Sequence, residues 1–143
     1  MPKVERKIEI NASPNIIYNC ITDISLIRKW NSTIKEIIQT GPNEGSIRST
    51  GGDYTYATIE RKENEMVTSK AEAEQFTSFG YVLKAKGDLT EVSSWIDYKI
   101  VEHEEILGRG IIYILNDLKN FAEYLEDGGD PGDYDRKKIL VSP

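Results

Sequence analysis

Residues 4–31 read VERKIEINASPNIIYNCITDISLIRKWN, a strand pattern that gives way at once to two short helical ones. Val4, Arg6, Ile8 and Ile10 alternate with Glu5, Lys7 and Glu9, the period-2 signature of a half-buried strand. Ser13 is a good N-cap, and Pro14 suits the first helical position, where its missing N–H loses nothing. The helix that follows carries Ile16, Ile17, Cys20 and Ile21 on one face and stops near Asp23. A second helical stretch, ISLIRKWN, ends at Trp30-Asn31. Helices this short are marginal alone and must lean on something larger.

That larger element is legible downstream. From about Thr33 the pattern is strands: IKEIIQT, SIRSTG, YTYATIERK, EMVTSKAEAE, TSFGYVLKAKG and LTEVSSWIDYKIV. Gly41-Pro42-Asn43-Glu44-Gly45, Gly51-Gly52-Asp53, Glu63-Asn64 and Gly87-Asp88 supply turn chemistry between them, which implies an antiparallel meander. After Glu102 the period changes, and residues 106–126, ILGRGIIYILNDLKNFAEYLE, predict one helix of about 30 Å. Asp127-Gly128-Gly129 is its stop signal. The expected division is a single domain over 1–126 and an acidic, Gly/Pro-containing tail over 127–143. Within that tail Ile139-Leu140-Val141 offers an apolar docking segment.

Composition narrows the chemistry. The 143 residues carry 18 Lys and Arg against 24 Asp and Glu, a net charge of -6 that speaks against binding nucleic acid or an anionic membrane by bulk charge. The acidity is concentrated late in the chain, with residues 102–143 holding ten acids and five bases. There is one histidine, His103, and one cysteine, Cys20, which argues against zinc ribbons, histidine-rich metal sites and disulfide scaffolds. His103 stands in Glu102-His103-Glu104-Glu105 at a predicted helix start, where the dipole favours acids without any metal. Asp127, Asp130, Asp133 and Asp135 lack the closing Glu of a calcium loop, and Pro131 interrupts them. No metal and no cofactor is expected. No apolar run reaches the roughly 20 residues of a bilayer span, so no stable membrane insertion is expected. A lone cysteine and an N-terminus without secretory character predict a cytoplasmic setting.

Candidate site residues come from the two faces that must meet. On the sheet, Val67, Ser69, Ala71 and Ala73 form one alternation, and Val92, Ser94, Ile96, Tyr98 and Ile100 another. Small residues where a packed core would place Leu or Phe leave a cavity, unless they let the helix approach closely; both readings stay open. On the helix, Ile106, Ile111, Ile114, Leu118, Phe121 and Leu125 define the expected apolar face, with Asp117 on its flank between Tyr113 and Tyr124. A carboxylate between two phenols can orient a polar ligand head or act as a base with Tyr as acid. The plainer and preferred reading of Asp117 is a boundary carboxylate held by a Tyr hydroxyl or water. Trp30 reads as a core anchor, Cys20 as a buried small hydrophobe, and Trp95 as an aromatic on the outer face of its strand.

Ile8, Ile10, Ala12, Ser13 and Pro14 leading into Ile17 and Tyr18, then Ile21-Thr22-Asp23 and Trp30-Asn31, resemble the opening of the START and pollen-allergen-like (SRPBCC) superfamily. Gly87-Asp88-Leu89-Thr90 stands where that family turns into its last strand. The nearest branch is the polyketide cyclase/dehydrase and lipid-transport group. The resemblance implies an α+β helix-grip fold: a curved antiparallel sheet of about seven strands wrapped around a long C-terminal helix, with two short helices after strand 1. It implies a small, largely apolar partner, lipid- or polyketide-like, held between sheet and helix. Tyr98, Tyr113, Asp117, Phe121, Tyr124, Ser69, Ala71, Ser94 and Ile96 are the expected lining. Whether the chain is an enzyme stays open. A cyclase or dehydratase would use Tyr113, Asp117 or Tyr98 to move protons, and a chaperone-activator-like module would use Trp95. A homodimer through the tail is compatible with either.

Overall fold

β1 (Lys3–Ile10) and β2 (Ile34–Gly41) are consecutive strands, yet they form opposite edges of the sheet. The chain must cross the whole sheet between them, and α1 (Pro14–Thr22) and α2 (Ile24–Trp30) carry it. β3 (Glu44–Ser49), β4 (Gly52–Lys62), β5 (Met66–Glu72), β6 (Phe76–Lys86) and β7 (Leu89–Tyr98) then meander back. The order across the sheet is β1-β7-β6-β5-β4-β3-β2, every neighbouring pair antiparallel. The long α3 (Glu104–Glu126) completes an α+β helix-grip fold, as expected. The computed structural model describes residues 2–134; the Ile139–Val141 segment and most of the proposed dimer-forming tail lie outside the described residues.

Local chemistry explains the breaks. Ser13 Oγ accepts from the Ile16 N–H at the start of α1, with Pro14 at the first helical position. Asp23 ends α1 and caps α2, its carboxylate accepting from Ser25 N at 2.9 Å and Ser25 Oγ at 2.6 Å. Asn64 takes the left-handed conformation (φ 63°) in the β4–β5 turn, a placement Asn tolerates better than most residues. Two expectations at the last crossover shift. β7 stops at Tyr98, so Ile100 lies beyond the sheet and is 43% exposed, and a 3-10 turn over Val101–His103 leads into α3, which starts two residues early. The chain has to leave the sheet plane there to lay the helix across it.

α3 packs chiefly on β1 and β7, at one side of the sheet. Its core stripe is Ile111, Leu115, Leu118 and Ala122, against Val4, Ile10, Ile17 and Val92. Ile106, expected on that stripe, is 65% exposed. At about 100° per residue it lies some 140° round the axis from Ile111, and counting it rotates the expected face away from the real one. Carboxylates near the end of α3 fasten the chain between β1 and α1: Glu123 accepts from Asn11 N and Glu126 from Ser13 N, both at 2.8 Å. Residues 127–134 do not project into solvent as a tail would. They fold back, and Tyr134 joins the core with its ring 4.7 Å from Phe121 and 5.0 Å from Tyr124.

Cys20 is fully buried, and its carbonyl accepts the Trp30 indole N–H at 2.8 Å. Burial, helped by the nearby Asp23 carboxylate, pushes the thiol up to about 12. The thiolate is therefore scarce at neutral pH. In the native protein Cys20 is expected to resist a thiol reagent such as dithiobisnitrobenzoate and to react fully in denaturant. Stoichiometric reaction in native buffer within minutes would overturn this.

Candidate functional site

Because α3 covers only the β1–β7 side, the inner faces of β2 to β6 curve over open space. That space is a cavity of about 880 Å³, within the roughly 300–1,000 Å³ usual for small-molecule sites. The N-terminal half of α3 forms one wall through Leu107, Ile111 and Ile114, and α2 another through Ile24, Ile27 and Trp30. Ile106, exposed and lining, stands at the rim.

The sheet wall is aromatic. Tyr54, Phe76 and Phe79 form an edge-to-face triangle with centroids 5.1, 6.2 and 6.1 Å apart, geometry that favours ring pairs. Tyr81 lies across from Val67 on one side and Ser94 on the other. Burial, with Tyr56 adding to it, pushes Tyr54 up to about 12. Burial and neighbouring Tyr54 raise Tyr81 as well. Both phenols are therefore neutral donors at physiological pH. Neither hydroxyl has a hydrogen-bond partner among the described residues, and neither is sealed from solvent, so both open onto the cavity they line. Thr58 and Ser69 hydroxyls meet at 3.3 Å on the same wall.

Ser69, Ser94 and Ile96 line this cavity. The other candidates lie elsewhere. Phe121 and Tyr124 sit on the C-terminal half of α3 against Tyr134, where the helix is packed rather than arched over. Asp117 is buried, and its Oδ2 accepts from Ser32 N at 3.0 Å and Ser32 Oγ at 2.6 Å. The preferred reading of it as a held boundary carboxylate matches that geometry, with Ser32 as partner instead of a phenol. Tyr113 is 53% exposed on the outward side of α3. Tyr98 is buried at the sheet end, its phenol raised by burial and then by the Glu104 carboxylate. Ala71 stands opposite Tyr56 on the same sheet face but does not line the cavity. The expected catalytic pair Tyr113 and Asp117 thus does not converge on the cavity.

Sequence reasoning does not single out Tyr54, Phe79 and Tyr81, although a signal for them exists. Each alternates in phase with its neighbours, Tyr54-Tyr56-Thr58 and Phe79-Tyr81-Leu83, and pairing puts both sets on the face that carries Ser69 and Ser94. No group of three or more His, Cys, Asp or Glu among the described residues could hold a metal. Trp95 is on the outer face as expected, partly covered by Lys3 Nζ 4.4 Å from its ring and backed by Gly80.

The family model described as polyketide cyclase / dehydrase and lipid transport matches residues 1–104. The chain belongs to that family. No curated protein matches it, but solved structures do. An Aha1 dimer from Colwellia psychrerythraea is 18% identical with TM-score 0.68, covering 91% of this chain and 100% of its own. A START superfamily protein from Mycobacterium smegmatis is 17% identical with TM-score 0.71, covering 86% and 98%. CalU16 from Micromonospora echinospora is 16% identical with TM-score 0.69, covering 84% and 75%. At such identities the likeness is one of fold. This polyketide cyclase/dehydrase and lipid-transport family member has, among its described residues, no helix long and apolar enough to cross a membrane.

Proposed function

We propose that the protein is a binding module that holds a small, largely apolar molecule in the cavity between the sheet and α3. The observation that carries this reading is the pair of phenols, Tyr54 and Tyr81, that line an apolar space without a protein partner among the described residues. Their hydroxyls are suited to donate to a carbonyl or hydroxyl of the ligand, while Phe76, Phe79 and the isoleucines of α2 take its apolar body. Raised phenol pKa values favour donation over proton transfer, which supports binding ahead of the cyclase alternative. Of the three acid-base candidates of that alternative, Asp117 is committed to Ser32, Tyr113 is turned outward, and Tyr98 is buried at the sheet end outside the cavity lining.

A saturating ligand stabilises the native state by about 2.7 kcal/mol at a hundredfold excess over Kd. With an unfolding entropy of about 0.3 kcal/mol/K for a chain of this length, Tm should rise by roughly 9 °C. Thermal denaturation against a panel of medium-chain lipids and planar aromatic polyketides checks it. No shift anywhere in the panel would sink the reading.

A further inference from the structure

An irregularity in β4 changes which residues face the cavity. Tyr54, Tyr56 and Thr58 follow the inward alternation, which if continued would turn Glu60 and Lys62 inward. A bulge between Thr58 and Glu60 inserts Ile59 as an extra, 54% exposed residue, and the register resumes with Arg61 opposite Val67. Such an insertion shifts the side-chain phase by one. Val67 is buried on the inner face, so Arg61 shares that face, and it lines the cavity. Its positive charge acts on the Tyr56 phenol, another lining residue.

Charge around the cavity is therefore unlike that of the whole chain. The lining holds Asp23, Arg28 and Arg61 as its ionisable acids and bases, against a net charge of -6 overall. Asp23 is occupied in capping α2, and Arg28 donates to the Ile37 carbonyl at 2.6 Å. Arg61 makes no salt bridge or hydrogen bond among the described residues. An arginine aimed by a bulge onto an apolar cavity wall, with no carboxylate to meet it, is built to receive an anion.

We infer that the ligand is an anionic amphiphile, its apolar body in the aromatic cavity and its carboxylate or phosphate head on Arg61 beside Tyr56. This rests on the binding reading above and adds the charge of the ligand to it. Arg61 is exposed, so the head group lies at the mouth and the apolar body runs inward along Phe76 and Phe79. A carbonyl or hydroxyl carried on that body would meet Tyr54 and Tyr81, and simple alkyl probes test the head group alone.

The test is isothermal titration of dodecanoate, dodecyl phosphate and dodecanol, all below their aggregation limits, into the wild-type protein and Arg61→Gln. Wild type should bind at least one of the two anions about tenfold tighter than the alcohol, the size of one partly exposed charge-assisted contact. Whichever anion gains more names the source, fatty-acid-like or phospholipid-like. Arg61→Gln should erase that advantage while its Kd for dodecanol and its ligand-free Tm stay put. Equal wild-type affinity for all three probes would overturn the anion inference alone, as would an advantage that survives in Arg61→Gln. No binding of any probe to wild type, together with a flat response to the wider panel above, would remove the cavity reading and this inference with it.

Discussion

Phe121→Ala is expected to destabilise the protein by about 3–5 kcal/mol, the usual loss for a large aromatic removed from a core. Tm should fall by roughly 10–17 °C at the unfolding entropy of a chain this size. Phe121 is fully buried beneath the folded-back segment, with its ring 4.7 Å from Tyr134 and 6.4 Å from Tyr124. Truncation leaves a void that Tyr134 cannot fill without giving up its own packing. A cycle with Tyr134→Ala isolates the ring pair, for which a coupling of about 0.5–1.5 kcal/mol is expected. Additive losses would mean that the two rings do not stabilise each other. Because Phe121 is outside the cavity lining, affinity for a bound amphiphile should be unchanged once folding is accounted for. A selective loss of affinity would return Phe121 to the binding site.

This residue also marks where the sequence stops being readable. Its burial follows from the helical period alone. Its partner is Tyr134, eight residues past the end of the helix in a Gly- and Asp-rich stretch that reads as solvated. The left-handed Gly128, the Gly129 N–H bonded to the Tyr124 carbonyl and the Tyr124 hydroxyl donating to the Asp130 carbonyl bring that tyrosine back, and none of them is visible as a tertiary contact in one dimension. Elements are legible because each carries its own local signal. Ser13-Pro14, the alternation of β1 and the glycine turns are decided within a few residues. The cavity is legible in kind through Ser69 and Ser94, because small side chains on an inner face leave volume that a packed core would fill. Which half of α3 roofs it is not, since that depends on how the sheet curves away from the helix. Arg61 is hidden for a related reason: an uninterrupted alternation in YTYATIERK assigns it to solvent, and a single bulged residue reverses the assignment.

Asp117→Ala is expected to lower stability by about 3 kcal/mol and Tm by about 10 °C, because it strands two donors at once. The Asp117 carboxylate receives both the backbone N–H and the hydroxyl of Ser32, 3.0 and 2.6 Å away. Ser32 stands directly after the buried Trp30-Asn31 pair, where the chain turns from α2 into the edge strand β2. The bond thus ties the crossover to α3 and fixes the height at which α2 closes over the cavity. Ser32→Ala removes one donor and should lose only about 1 kcal/mol, so the double variant should be less destabilised than the sum of the singles. Asp117→Asn retains one acceptor and should fall between wild type and Asp117→Ala. If Asp117 instead moved protons in a cyclase, Asp117→Asn would abolish turnover while leaving Tm nearly intact. A Tm loss under about 2 °C for Asp117→Ala would show that the Ser32 anchor is not what holds the crossover. A large loss in Asp117→Ala that is relieved in the Ser32→Ala background would assign the carboxylate to architecture, and would leave any acid-base chemistry in the cavity to Tyr54 and Tyr81.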